Sequence, residues 1–507
     1  MRYLVGLVGV GALFVPPAFA AIRLRRRLLP AWTGADARIV EVVFATAAIL
    51  AVSQLLGAVG AFRIWAVYPV MLVVSAGGLV LARSLRRPVD VAVVGTSHRP
   101  WELAIVIAAA IVVLSLWSLP FFASLSSGPV DVDTQTYHLP NAAKFVQDGW
   151  LTRLHHTTPD NAIPYHPANS EVIHALLMMS FGSDFLSLFV NHAWAVLLIV
   201  AAWSFGSRWN ASAPSAIAMC VVLATPTLVS TQPGSAMNDT MGLFFFTASV
   251  AILVRSNGEL VPTITAALAA GVAVGTKLTL LVPVAALTLV LPVFTTLGGR
   301  RLLRPFLAWV GCLALTGSYW FIRNWVRVDN PVPALDIHLG PISFDRVPMK
   351  LIDHYGYPVA EYIFDADVWR KAFIPGFENA AGRIWPVLIV APLLALFVAG
   401  FARRDLILRS LALVGLIGVL GYIGTPATAF GFRGEPVLFA QNVRYVLPSV
   451  CLGLLIGVAL LRRWTLPVAV VLSAATLATL AIPPWPPGSK THVVKGVIVL
   501  VCAGALT

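Results

Sequence analysis

Charge is what this chain has least of. Only 11% of its 507 residues are Asp, Glu, Lys or Arg, against roughly 25% in soluble domains, and 58% are hydrophobic. That balance excludes a soluble globular domain and a disordered segment. Lysine is scarcer still, with 6 of the 35 basic residues, which together with the richness in Ala and Val fits a GC-rich bacterial source. The four cysteines, Cys220, Cys312, Cys451 and Cys502, all fall inside apolar runs, so the polar loops hold no disulfide framework. No glycine-rich nucleotide loop is present, and no repeat of about 20 to 50 residues recurs. The net charge of +13 does not imply nucleic acid, because the basic residues form short clusters between apolar runs and line no single face.

What the chain does have is apolar runs, each long enough for ~30 Å of hydrocarbon. They fall near 3–21, 39–60, 64–82, 102–122, 185–205, 213–231, 240–254, 262–278, 279–297, 305–322, 385–401, 406–426, 445–461, 465–482 and 493–507. The expected fold is an all-α polytopic membrane protein with about 13 to 15 spans. Ala18-Phe-Ala20 has the form of a cleavage site, but Arg23, Arg25, Arg26 and Arg27 follow at once, and a basic flank there marks a retained anchor. The clusters at Arg23 to Arg27, Arg83 to Arg87 with Arg99, Arg300 to Arg304, Arg403-Arg404 and Arg462-Arg463 are expected in the cytoplasm. Counting spans between them puts two long loops, 123–184 and 323–384, on the outer face. These loops carry 14 of the 22 acidic residues.

In the first loop, Asp133 or Thr134 is placed to cap a helix over about 135–147 that Gly149 ends. Tyr137, Ala142 and Phe145 would share one face of it, suited to resting on the membrane surface. Pro159, Pro164 and Pro167 impose an extended path, and a second helix starts near Asn169 with Glu171 and His174 about one turn apart. The second loop opens with Arg323-Asn-Trp325 and Asn330-Pro-Val-Pro333 and is expected to be mostly irregular, with a short helix around 365–372.

Asp133-x-x-x-Tyr137-His138-Leu139-Pro140 resembles the start of the first outer loop of the superfamily C glycosyltransferases, integral-membrane enzymes that take sugars from polyprenyl-phosphate donors. The resemblance continues through Pro167-x-x-x-Glu171, Asn238-Asp239, Gly275-Thr-Lys277, Trp320-x-x-Arg323-Asn324 with Asn330-Pro331, and Asn442-x-Arg444-Tyr445-x-x-Pro448. It covers about residues 100–460 and includes relatives such as lipid A aminoarabinose transferases and protein O-mannosyltransferases. The implied organisation is a core over 101–460, N-terminal helices over 1–100 whose role has no counterpart, and C-terminal helices over 461–507. The implied place is a bacterial cytoplasmic membrane, with the active site on its extracytoplasmic face.

The resemblance implies a partner set of polyprenyl-phosphate sugar donor, membrane lipids, and a glycan, lipid or protein acceptor. Such transfer needs a carboxylate to take the acceptor's hydroxyl proton. Asp133 matches the family's first-loop aspartate, with Asp131 as the alternative or as a helper; the plain structural alternative is that Asp133 only caps the following helix. A departing lipid phosphate needs fixed cations. Lys277, Arg323 and Arg444 stand at apolar-run edges on the expected outer face, against the positive-inside bias, although an interfacial Arg also snorkels to headgroups. Tyr137, His138, His155, His156, Glu171, Asp239, Asn324 and Tyr445 are expected to bind substrate or support the site. No cofactor is firmly implied. The density of histidine between Tyr137 and His192 raises a divalent ion held by Glu171, His174 and His155 or His156, without a compact ligand signature. The rival function is a lipid or glycolipid transporter that uses the same cations without covalent chemistry; the absence of matched broken-helix halves weighs against it.

Overall fold

The computed structural model describes residues 2–85, 100–129, 131–158, 162–299, 301–402 and 405–481. The run at 493–507, Pro159, Cys502 and the cluster residues Arg86, Arg87, Arg99, Arg300, Arg403 and Arg404 lie outside them. The described chain is a multi-pass helical membrane protein. Its helices begin with α1 (Arg2–Leu28), α2 (Gly34–Ala58), α3 (Ile64–Ser84) and α4 (Pro100–Ser127), followed by α5 (Leu139–Asp148) and α6 (Asn169–Phe181). Then come α7 (Ser187–Ser207), α8 (Ser212–Leu223), α9 (Pro226–Thr231), α10 (Asp239–Arg255), α11 (Leu260–Thr276), α12 (Leu281–Leu297), α13 (Leu303–Gly317) and α14 (Tyr319–Val328).

Among the described residues, eight helices are long and apolar enough to cross a membrane, or ten if each of two sharply bent pairs is one span. Fewer spans emerge than apolar runs because several runs are cut short. The run ending at Lys277 stops where that residue turns extended, at φ −149° and ψ 127°. The run at 305–322 bends by 65° between α13 and α14, so Arg323 and Asn324 lie on a helix and not in a loop. Between its charged ends, Asp239 and Arg255, helix α10 is mainly apolar and buried throughout, with Phe244, Phe245 and Phe246 inside, as expected of a helix enclosed by others. Glycines permit the closest approach beside it. A Cβ at Gly271 of α11 would strike Thr316 of α13, and one at Gly275 would strike Asn169, the small-xxx-small device by which membrane helices touch.

Both long loops lie at one end of the bundle. Arg327 of α14 donates to Thr152 O at 3.0 Å, and Asn324 donates to Tyr165 O at 2.8 Å. The second loop is more ordered than its composition suggests. It contains an antiparallel hairpin pairing Ile337 with Phe344 and helical turns over Lys350–Tyr355 and Ala366–Ala381. At the opposite end stand ion pairs such as Arg25 with Glu41 at 2.8 Å and Arg255 with Asp36 at 2.9 Å.

The N-terminal helices are not a separate appendage. Gln54 of α2 donates to Asn169 Oδ1 at 2.8 Å, Tyr68 of α3 to Ser180 Oγ at 2.9 Å, and Arg63 to Val146 O at 3.1 Å. They brace α5 and α6, which carry much of the first loop.

Candidate functional site

The cap of the first loop decides what Asp133 is free to do. Asp131 Oδ2 accepts from Thr134 N at 2.8 Å, whereas Asp133 is already helical at φ −62° and ψ −39° and makes no cap bond. The chain then enters a wide π-helical turn, Thr134–His138, that continues into α5 and ends at Gly149 with φ 75°, the left-handed geometry that glycine accepts. Thr134 Oγ1 accepts from Ala236 N at 3.1 Å, which pins this turn to the segment before α10. The carboxylate of Asp133 therefore reaches Arg444, accepting from Nη2 at 2.7 Å. Burial holds the Asp131 carboxyl above the usual carboxylate range, against the lowering effect of its bonds from Thr134.

Arg444 belongs to a 3-10 turn, Val443–Val446, held by Asn442 donating to Ala427 O at 2.7 Å. Its Nη1 lies 3.9 Å from Asp239 Oδ2. Asp239 opens α10, pairs with Lys277 through Oδ1, and accepts from Gln232 Nε2 at 3.1 Å through Oδ2. Lys277 occupies the break after α11, which Asn238 secures by donating to Thr276 O at 3.1 Å. The Tyr445 ring sits 5.2 Å from Lys277 Nζ and 5.5 Å from Arg444 Cζ, within cation–π range. Four distant segments thus supply an alternating row, Asp133, Arg444, Asp239 and Lys277. Its middle members are buried, while Asp133 keeps 24% of its side chain exposed and Lys277 13%, so the two ends of the row are its reachable groups.

Arg444 has a second neighbourhood. It is the one charged residue lining a narrow cavity whose other walls include Val222, Ala381, Leu388, Leu447 and Val450. One wall is the pair of helices Ala366–Ala381 and Pro386–Gly400, bent by 91°. Val387 and Val390, on the turn at that bend, present their other side outward and are exposed.

Other expected site residues fall elsewhere. Arg323 is buried and donates to Pro164 O at 2.7 Å, His166 O at 3.4 Å and Asn324 Oδ1 at 2.9 Å, while stacking on Trp320 at 4.9 Å. It is a strut between α14 and the first loop, and Asn324 supports it. Trp320 in turn donates to Asn169 Oδ1 at 2.8 Å. His138 Nδ1 meets Glu171 Oε1 at 2.6 Å in a buried pair, with the Tyr137 ring 4.2 Å from the His138 ring. Ala142 and Phe145 are buried within the protein, Phe145 stacking near Trp320 at 6.0 Å, so this face does not rest on a membrane surface.

The residues considered for a divalent ion do not fit one. His156 is exposed and His155 lies 3.8 Å from Asp148; burial lowers the His155 imidazole below its ordinary value. Glu171 turns to His138. Among the described residues, no group of three or more His, Cys, Asp or Glu side chains is placed to hold a metal ion.

Reading the sequence by charge at apolar edges missed the amides. Gln232 on Asp239 and Gln54 on Asn169 are buried, and the available signal was a lone amide within or beside an apolar run. No family model, curated protein or solved structure matches this chain.

Proposed function

We propose that this protein transfers a sugar from a polyprenyl-phosphate donor to an acceptor hydroxyl, with its loop end on the extracytoplasmic face of a bacterial cytoplasmic membrane. The observation that carries the reading is the double position of Arg444, which pairs with Asp133 at 2.7 Å and also borders a mainly apolar cavity that Thr225 and Thr227 share. A cation bordered by mainly apolar walls suits the phosphate of a lipid, while the cavity itself, at about 20 Å3, is too small to hold the lipid; a carboxylate beside the cation suits proton removal. Asp133, Asp239, Lys277 and Arg444 are also motif positions of the family that the sequence resembles.

The chemistry follows from the row of charges. The acceptor hydroxyl gives its proton to Asp133 as its oxygen bonds to the anomeric carbon, and the bond from that carbon to the phosphate oxygen breaks. The electron pair leaves with the polyprenyl phosphate. As Asp133 is neutralised, Arg444 loses its nearest carboxylate partner just as negative charge builds on the departing phosphate. Lys277 stays near and remains paired to Asp239. Proton transfer and leaving-group stabilisation are thereby coupled through one guanidinium, whose planar fork suits phosphate. Arg323 has the part of a positioning residue in this scheme, because its donors are engaged by the first loop.

The test is consumption of a labelled polyprenyl-phosphate sugar by the protein in lipid nanodiscs, with loss in Asp133→Asn. A donor that is carried across the bilayer unchanged, by wild type and Asp133→Asn alike, would establish the transporter reading instead. Sidedness is checked in a cysteine-free background: Pro341→Cys should react with a membrane-impermeant thiol reagent in intact cells and Arg301→Cys should not.

A further inference from the structure

Beyond the charged row, the first loop forms a second invagination, made by α5, the turn Ile163–Tyr165 and α14. Its mouth is an open vestibule of about 340 Å3 lined by Asp148, Arg153, Leu154, His155 and Arg327, within the range of small-ligand sites. Arg153 and His155 also line a narrower crevice that runs inward to Tyr137, Asn141, Glu171 and Arg323. The crevice holds only about 10 Å3, room for about one water, so a hydroxyl and not a sugar ring enters it.

The polar groups along this path are arranged for something outside the chain. Glu171 Oε1 is taken by His138, but Glu171 Oε2 and Asn141 Oδ1 are buried with no hydrogen-bond partner, in residues only 3% and 8% exposed. A buried acceptor left unmade costs about 1–3 kcal/mol, and a hydroxyl proton would relieve that cost. His155 Nε2 is likewise without a hydrogen bond. At the mouth, Arg327 uses Nε on Thr152 O and has no carboxylate partner among the described residues. Arg153 meets Asp148 only at 3.7 Å. Two exposed guanidiniums thus face one carboxylate. Tyr137 links the two regions: it lines the crevice and lies within Coulomb range of Asp133 and Arg444.

We infer that the vestibule and crevice are a subsite for an acidic saccharide, resting on the reading above for its role as acceptor. A carboxylate or phosphate of the saccharide binds Arg153 and Arg327. A neighbouring hydroxyl enters the crevice and donates to Glu171 or Asn141.

The experiment is calorimetric binding to the full chain in nanodiscs of zwitterionic lipid, with no donor present. The probes are digalacturonic acid, glucose 6-phosphate, the neutral disaccharide lactose, and inorganic phosphate. At least one acidic saccharide should bind about tenfold or more tightly than lactose and inorganic phosphate, a gap of about 1.4 kcal/mol, and which of the two binds better identifies the anion. Arg153→Ala with Arg327→Ala, both at the surface and checked by thermal melting, should weaken that binding by about tenfold. Asn141→Asp, which places a second carboxylate beside Glu171, should weaken it further. Equal affinity for the acidic and neutral sugars, no change in the double variant, equal affinity for inorganic phosphate, or no saccharide binding at all would each overturn the inference. Polyprenyl-phosphate binding in the same discs, compared with Arg444→Ala, reports separately on the donor site, so failure of one subsite is not confused with failure of the other.

Discussion

The two ends of the bundle use ionisable residues differently. At the end away from the long loops, carboxylates tie helix to helix. Glu41 takes Arg25 at 2.8 Å and Arg38 at 2.7 Å, and Asp36 takes Arg255 and the hydroxyl of Ser204. Asp405 caps its own helix through Leu408 N at 3.1 Å and receives Trp209 at 3.1 Å. These contacts join neighbouring helices and also helices distant in sequence, Asp36 reaching Ser204 and Asp405 receiving Trp209 across separations of 168 and 196 residues. At the loop end, one guanidinium is divided between two carboxylates, one carboxylate between two cations, and buried acceptors beside them have no partner. Sharing alone does not separate the ends, since Glu41 also holds two cations and Arg255 Nε is also buried without a hydrogen bond. What separates them is the guanidinium of Arg444, divided between two carboxylates and bordering a cavity.

The sharpest way to break that comparison is to remove one carboxylate from each end. Asp133→Asn should lower transfer by at least about a hundredfold, the scale of a lost general base, with melting temperature held. Asp36→Asn should lower the melting temperature and leave turnover per folded molecule near normal. Equal catalytic loss at both ends would erase the distinction. Asp131→Asn should cost much less than Asp133→Asn, since an amide oxygen can still cap Thr134 and the fold already disfavours the charged form of Asp131.

The next largest effect is expected at Arg444. Arg444→Ala should reduce donor use by about tenfold or more, with Arg444→Lys recovering only part of it because the fork geometry is lost. The Ala variant also takes a cation from Asp133, which is partly exposed, and from Asp239, which keeps Lys277 and Gln232, so its stability loss should stay below the about 3–5 kcal/mol of a fully stranded buried ion. Melting curves read alongside donor titrations separate the two losses. Lys277→Ala should impair the donor step in the same sense.

Arg323 tests the comparison within the loop end itself. As a strut it should affect stability more than donor affinity: Arg323→Lys should cost about 1–3 kcal/mol while the donor KM stays within about twofold of wild type. A large KM increase with unchanged melting would return Arg323 to the phosphate site.

The smallest effect concerns pH. His155 has its folded value depressed by burial, so its unfolded imidazole binds protons that the folded one refuses. The associated stability is complete above the ordinary value near 6.5 and is lost as pH falls below it toward the folded value. Melting temperature should therefore drop on acidification through that window, and His155→Gln should flatten the drop. An unchanged pH profile in the variant would assign the effect to other groups.

Composition made the membrane class legible, and motif spacing named the four members of the charged row before any coordinates. The rest was hidden for particular reasons. Arg323 and Arg444 carry the same sequence signature, a cation where an apolar run ends, but nothing in it says that Pro164, His166 and Asn324 already occupy one of them. Asp133 or Thr134 is the expected cap, and the start of the π-helical turn gives that part to Asp131 instead. Helix breaks were harder to see. Ser318 bends a stretch whose hydropathy is continuous, because a dihedral change leaves no trace in apolarity, whereas the break at Lys277 falls where two expected runs meet. Asn169 was read only as a helix start, yet it receives Gln54 and Trp320 from sequence separations of 115 and 151 residues.

That amide junction bears on how the protein is made. During synthesis α2 enters the bilayer more than a hundred residues ahead of Asn169, and Gln54, buried in the finished protein, faces a wait beside lipid with its amide unmatched. Trp320 arrives later again. The first three helices therefore act as a template awaiting the first loop, and that loop reaches its final bonding only after α14 has been translated. A ribosome pausing between residues 169 and 320 would leave the junction half built, with the charged row still missing Arg444 and, before residue 277, Lys277 as well.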